Sequence, residues 1–210
     1  MENIMDLRKK TKLDELHLIE SLSKELVFDK KEMQRILNIF KEYAEDSCFL
    51  SEFEFSEVLH NLLGFTDSFF IQRIFLAADT EKDNKIGLEE FIRILHIMLY
   101  GRIDDKIKLC FTCYDLDGDL EVVRENVTSL ILEAVSDPPT RDCTADALQD
   151  LVEMIFLKLD KDKDGVISYE EFKKACHEDN IWIEAFGQCL PDHQHRSGFL
   201  VLLESNQEEE

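Results

Sequence analysis

Asp160-Lys161-Asp162-Lys163-Asp164-Gly165-Val166-Ile167-Ser168-Tyr169-Glu170-Glu171 places oxygen-bearing side chains at positions 1, 3, 5, 9 and 12 and a glycine at position 6. A hard divalent cation takes roughly six to eight oxygen ligands. Asp160, Asp162 and Asp164 supply carboxylates from one side of such a cage. Gly165 permits the sharp turn that a residue without Cβ makes at least cost. Val166 offers its backbone carbonyl, Ser168 ligates directly or through water, and Glu171 closes the cage with two oxygens. Ile167 points the other way, into the core, as a short strand residue.

This is the EF-hand calcium loop, and it supplies a template: apolar helix, acidic loop, apolar residue at position 8, Glu at 12, then Phe172. Three relatives lie upstream. Asp79-Thr80-Glu81-Lys82-Asp83-Asn84-Lys85-Ile86-Gly87-Leu88-Glu89-Glu90 keeps oxygens at positions 1, 3, 5 and 12, from Asp79, Glu81, Asp83 and Glu90. Lys85 offers its backbone carbonyl. Asn84 replaces the glycine and tolerates the left-handed conformation. The loop is expected to hold Ca²⁺ or Mg²⁺.

Asp115-Leu116-Asp117-Gly118-Asp119-Leu120-Glu121-Val122-Val123-Arg124-Glu125-Asn126 starts well and ends badly. Asp115, Asp117 and Asp119 remain, with Glu121 at the backbone-ligand position. Leu120 stands where the turn glycine belongs and is expected to resist positive φ. Asn126 replaces the two-oxygen Glu. Weak, Mg²⁺-like or absent binding is expected. Tyr43 to Glu54 is a cryptic first copy, with Leu50 at position 8 but no cage.

The loops begin at 43, 79, 115 and 160, so three copies repeat every 36 residues and the fourth is displaced by nine more. Asp137-Pro138-Pro139-Thr140-Arg141-Asp142 marks the insertion. The expected fold is all-α, with two lobes of paired EF-hands: four helix-loop-helix units, the first cryptic, an extra N-terminal helix and a C-terminal helical tail. The N-terminal amphipathic helix spans 1–28. The N-lobe spans 29–101, with hands at 29–64 and 66–101. The C-lobe spans 102–180, with a degenerate hand at 102–136, the insertion at 136–144 and the last hand at 145–180. Residues 181–210 form a C-terminal helix and acidic tail. Position-8 residues are expected to pair Leu50 with Ile86 and Val122 with Ile167.

Capping fits this frame: Asp29 with Glu32, Thr66 or Asp67, and Thr144 precede apolar stripes. Leu7, Leu13, Leu16, Leu18, Ile19 and Leu22 stripe the first helix, beside the basic cluster Arg8-Lys9-Lys10-Lys12, which is either a solvated face or a contact for an acidic partner. Ile181-Trp182-Ile183-Glu184-Ala185-Phe186 reads as a short helix ended by Gly187, with Pro191 as a stop. Trp182 and Phe186 are expected to pack on the C-lobe or fill its groove. His193 and His195 read as solvated.

The formal net charge of −22 repels nucleic-acid phosphates and anionic membrane surfaces and suits cations and basic protein partners. No apolar run approaches the ~20 residues that span a bilayer. Glu2 excludes N-myristoylation, so no membrane anchor is expected. Six cysteines and no secretory signal point to a reducing compartment and free thiols. Cys110-Phe111-Thr112-Cys113 has no second ligand pair and reads as packing. No Ser/His/Asp elbow, P-loop or HExxH pattern appears, so an enzyme is not expected.

Four hands with a cryptic first copy resemble the neuronal-calcium-sensor branch of the calmodulin superfamily. The loops at 79–90, 114–119 and 160–171, and above all Glu184-Ala185-Phe186-Gly187-Gln188-Cys189-Leu190-Pro191-Asp192, resemble more closely the calaxin-like EF-hand proteins of ciliary outer dynein arms. That resemblance implies a calcium-binding regulatory protein of the cilium or flagellum axoneme in the cytoplasm. Its implied partners are an outer-arm dynein chain, docking-complex subunits or tubulin. The competing expectations are a constitutive structural axonemal subunit and a general cytosolic EF-hand sensor; a buffer suits the eroded loops poorly.

Overall fold

The computed structural model describes residues 4–44, 47–134 and 145–205; the insertion, the Thr144 cap, the side chains of the basic cluster and of Leu7 and Leu13, and the final acidic residues lie outside the described part. The described residues form α1 (Ile4–Glu25), α2 (Lys30–Ala44), β1 (Phe49–Leu50), α3 (Glu52–Leu63), α4 (Ser68–Ala78), β2 (Ile86–Gly87), α5 (Leu88–Tyr100), α6 (Ile103–Tyr114), β3 (Glu121–Val123), α7 (Arg124–Ala134), α8 (Ala145–Leu159), β4 (Val166–Ser168), α9 (Tyr169–Glu178), a 3-10 turn (Asn180–Glu184) and α10 (His193–Glu204). The protein is all-α, with EF-hand pairs.

Each pair of hands is stitched by a two-stranded ribbon. β1 and β2 run antiparallel with Leu50 opposite Ile86, and β3 and β4 with Val122 opposite Ile167, as the position-8 reading predicts. All four side chains are fully buried. A strand of two or three residues is marginal alone. Here each ribbon is held by the apolar helices on either side.

Caps set the helix starts. Asp29 accepts from the amides of Lys31 and Glu32, while Glu32 reaches back to the Asp29 amide at 2.6 Å. Asp67, not Thr66, caps α4. Ser51 and Ser168 each form a capping box with the Glu three residues on, which is also position 12 of its loop. The last ligand of the loop is thus also the start signal of the exiting helix.

α1 packs on α2 through Ile19 and Leu22, with Leu18 half-buried. Leu16, read as part of the apolar stripe, is 48% exposed. Phe28 sits edge-on to His96 and Tyr100 of α5, closing the turn between α1 and α2. α8 buries Val152, Ile155, Phe156 and Leu159, whereas Leu151 is turned out.

The C-terminal segment departs from expectation. Residues 180–184 form a 3-10 turn, and Pro191 does not end the helical structure. Asp192 caps a further helix, α10, through the His195 amide at 2.8 Å. α10 lies against α2, α3 and α5 of the N-lobe and buries Phe199 and Leu203 there. Each such side chain is worth about 1.5–3 kcal/mol when removed from water. The segment therefore spans both lobes.

Candidate functional site

The residues of 160–171 converge. Asp160, Asp162 and Asp164 bring carboxylate oxygens within 4.8 Å of one another, Asp160 buried and the other two exposed. Asp160 accepts from the amides of Lys163 (2.7 Å) and Gly165 (3.1 Å), which winds the loop around it. Gly165 takes φ +95° and Lys163 φ +65°. Glu171 places one oxygen on the amides of Lys161 (2.7 Å) and Asp162 (3.4 Å) and the other on the amide and hydroxyl of Ser168. Burial works against its charge, but these hydrogen bonds hold its carboxyl below the ordinary range. Three gathered carboxylates with a fourth at the rim repel one another, and a divalent cation relieves that repulsion. The donor set is all oxygen, the chemistry of Ca²⁺ rather than a softer metal. Val166 begins β4.

The second loop repeats the winding with less convergence. Asp79 accepts from Asp83 (3.2 Å) and Asn84 (2.8 Å), and Asn84 takes φ +61°. Glu90 holds the Thr80 amide and hydroxyl, the Glu81 amide and the Gly87 amide, the same role as Glu171. Glu81 and Asp83 are exposed, and among the described residues Asp79, Glu81 and Asp83 do not gather into a three-carboxylate cluster as the fourth loop does. Lys85 carries its ammonium over the Phe49 ring at 4.0 Å.

The third loop overturns one expectation. Leu120 adopts φ +68° after all. Its side chain is 67% exposed, so no neighbour blocks it, and its amide is fixed by Asp115 at 2.9 Å. Asp115 also holds Gly118 and Asp119. Those bonds offset the ~1–2 kcal/mol that a left-handed non-glycine residue costs. Asn126 is buried, accepts from the Val123 amide (3.1 Å) and donates to Asp117 (3.2 Å). An amide thus ties position 12 to position 3. Asp119 holds the Glu121 amide. Among the described residues of the first loop, Ser51 and Glu54 cap α3, and Tyr43 accepts from Asn61.

One residue near the fourth loop was not foreseen. Arg124, at the start of α7, donates to the Gly165 carbonyl at 3.1 Å, pairs with Glu153 and lies over the Phe156 ring at 4.1 Å. A fixed cation from the third hand therefore sits on the turn of the fourth. Only the pairing of the two hands makes it adjacent.

A model described as an EF-hand domain pair matches residues 104–176, and one described as an EF hand matches residues 71–95. The chain is 32% identical to Calaxin of Danio rerio over 183 residues, 84% of this chain and 87% of that one. It is 30% identical to Calaxin of Bos taurus over 190 residues, 87% and 90% of the two chains. With Calaxin of Xenopus laevis identity rises to 38% over 138 residues, 66% of each. The chain belongs to the calaxin family. Like other calaxin-like EF-hand proteins, it is a calcium-binding regulatory protein.

In this calaxin-family chain the C-terminal segment connects the last hand to the N-lobe. Phe186 is buried and packs edge-on to Tyr114 at 5.0 Å, with Phe172 6.1 Å away; Trp182 is half-buried beside the core. Tyr114 donates to the carbonyls of Ile183 (3.2 Å) and Gly187 (2.6 Å). Gly187 takes φ +151°, and a Cβ there would lie 1.9 Å from the Phe70 ring of α4. His195, read as solvated, keeps its exposed face but presses on Gly64, where a Cβ would meet its ring at 2.4 Å. Arg196 donates to the Leu99 carbonyl at 2.7 Å, capping the end of α5. A second tie joins the lobes: Arg73 of α4 donates to the carbonyls of Cys113 (2.9 Å) and Asp115 (2.6 Å), at the mouth of the third loop. No helix among the described residues is long and apolar enough to cross a membrane.

Proposed function

We propose that this protein acts in the axoneme of cilia or flagella, where it associates with an outer-arm dynein chain, docking-complex subunits or tubulin and modulates them in response to Ca²⁺. The likeness to calaxins across most of the chain supports the setting. The convergence of Asp160, Asp162 and Asp164 supports the ion response. In this reading Asp160, Asp162, Asp164, Val166, Ser168 and Glu171 form the principal site. Asp79, Glu81, Asp83, Lys85 and Glu90 form a second site, for Ca²⁺ or Mg²⁺.

Glu171 is the moving part. To offer both oxygens to a cation it would loosen its hold on the amides of Lys161 and Asp162 with one oxygen and on the amide and hydroxyl of Ser168 with the other. It is the third residue of α9, so α9 follows. Phe172, next in sequence, packs 6.1 Å from Phe186, so the shift reaches the segment that holds α10 on the N-lobe. Loosening α10 uncovers apolar surface of α2, α3 and α5 for a partner helix. The −22 net charge favours a basic partner. The test is pull-down from ciliary extract with and without Ca²⁺, using wild-type and Glu171→Gln protein. Ca²⁺-dependent capture of axonemal proteins that the variant loses is the expected result; identical capture in all four conditions overturns switching.

A second reading, a constitutive axonemal subunit with little switching, is favoured by Asn126, which closes the third loop with an amide. Retained axonemal binding by Glu90→Gln plus Glu171→Gln protein selects it.

A further inference from the structure

Three buried thiols meet where the C-terminal segment crosses the C-lobe. Cys110 and Cys113 lie one turn apart on α6, and Cys189 comes from the segment after the 3-10 turn; all three are fully buried. The 3-10 turn that leads into Cys189 packs on α6, and Tyr114, next to Cys113, donates to the carbonyls of Ile183 and Gly187, which brings the buried Cys189 in beside the α6 pair. The backbone around it is pinned. Glu184 accepts from the amides of Cys189 (3.1 Å) and Leu190 (3.0 Å), and Tyr114 holds the Gly187 carbonyl at 2.6 Å. The sequence showed only the pair on α6; its partner is brought in by the fold.

We propose that Cys189 and one thiol of the Cys110/Cys113 pair form a reversible disulfide that fastens the C-terminal segment to α6. The oxidant is a hydroperoxide. The Cys189 thiolate attacks the terminal peroxide oxygen, the O–O bond breaks, and a sulfenic acid and hydroxide form, or water once a proton is taken up. The α6 thiol then attacks the sulfenic sulfur, losing its proton and expelling water. Two thiols and one hydrogen peroxide become one disulfide and two waters.

Cys189 is the attacking member because it lies on the segment that opens, between the 3-10 turn and α10, whereas Cys110 and Cys113 are fixed within α6. Burial disfavours its anion, but the thiols of Cys110 and Cys113 donate to it, the Arg73 charge lies near, and together they bring it below the ordinary thiol range. Burial and the bond to Cys189 push Cys110 and Cys113 the other way. Access requires local opening of residues 185–192, which lie outside the helices and ribbons and are held by the buried Phe186 and Cys189 side chains and a few hydrogen bonds. Such segments open at a fraction of the global unfolding free energy. The bond, once made, blocks that same opening.

The test uses the full chain at neutral pH with hydrogen peroxide, then alkylation in denaturant and peptide mapping without reductant after trypsin and Glu-C digestion. The expected result is a cross-linked species joining the fragment that contains Cys189 to the one that contains Cys110 and Cys113, with two of the six thiols lost and dithiothreitol restoring both. Limited proteolysis within 185–192 should slow about tenfold in the oxidised form. Cys189→Ser should abolish both effects; if far-UV circular dichroism shows that variant misfolded, the wild-type map still decides. The proposal is overturned if Cys189 stays reduced, is over-oxidised without a cross-link, or pairs only between chains through exposed Cys48.

Discussion

Tyr114 donates its hydroxyl hydrogen to the carbonyl of Gly187 at 2.6 Å, sharing it with Ile183, while Gly187 approaches the Phe70 ring of the other lobe so closely that an added Cβ would lie 1.9 Å from it. One phenol thus holds the crossing point of the C-terminal segment, and a ring of the N-lobe packs against the same glycine. Tyr114→Phe leaves both carbonyls without this donor and should cost about 1–3 kcal/mol, lowering the thermal midpoint by several degrees. Gly187→Ala should cost more, because its methyl cannot coexist with the Phe70 ring. If neither melt moves, residues 183–190 do not hold the lobes together.

Arg124 opposes ion binding in the fourth loop. Its guanidinium sits on the Gly165 carbonyl, beside a site that gathers positive charge. Arg124→Gln should tighten Ca²⁺ there about three- to tenfold at low salt, the size expected of one partly screened charge, while Arg124→Lys should stay near wild type. Calorimetric titration at two ionic strengths reads both the sign and the salt dependence. Weaker binding in Arg124→Gln would mean that the tie to Gly165 matters more than the charge.

Asn126→Glu restores the two-oxygen ligand of the third loop. Leu120 already has the required left-handed backbone, so position 12 is the remaining defect. The variant should gain one Ca²⁺ per chain by calorimetry. An unchanged stoichiometry would assign the defect to Leu120 instead.

His96 gives the fold a pH dependence. Its Nε2 is buried with no hydrogen-bond partner among the described residues. Burial lowers its pKa and Arg93 adds to this, while Asp105 and Glu25 pull the other way. The unfolded chain takes up the proton near pH 6.5 and the folded chain only at lower pH. The contribution is therefore complete above about 6.5 and is lost as pH falls toward the folded value. His96→Phe should flatten the change in urea midpoint between pH 7.5 and 5.5 and add about 1 kcal/mol at neutral pH by removing an unpaired polar atom. Parallel curves for the two proteins would sink this account.

The hands, their pairing and the order of the loops were legible because an EF-hand is a local code. Twelve consecutive residues fix the turn, the strand residue at position 8 and the cap of the next helix. Ile86 opposite Leu50 follows from that spacing alone. Leu120 reads as resisting the turn on propensity alone, but the carboxylate of Asp115, which binds its amide, rewards the strained conformation. α10 is hidden in the sequence because Pro191 reads as an end. A proline before an Asp cap equally starts a helix, and Phe199 with Leu203 at i,i+4 was the available signal. Arg124 on Gly165, and Cys189 beside Cys110 and Cys113, join residues tens of positions apart. No local pattern announces them.

On the proposed reading, α10 on the N-lobe also sets the terms on which a partner helix would gain entry. It is tethered by a short segment, so it competes from an effective concentration on the order of millimolar. A rival from another chain must displace it at that handicap, and a weak, merely amphipathic peptide loses. The protein thereby carries its own affinity threshold, and each of His195 on Gly64, Arg196 on Leu99 and Gly187 on Phe70 sets how high that threshold stands.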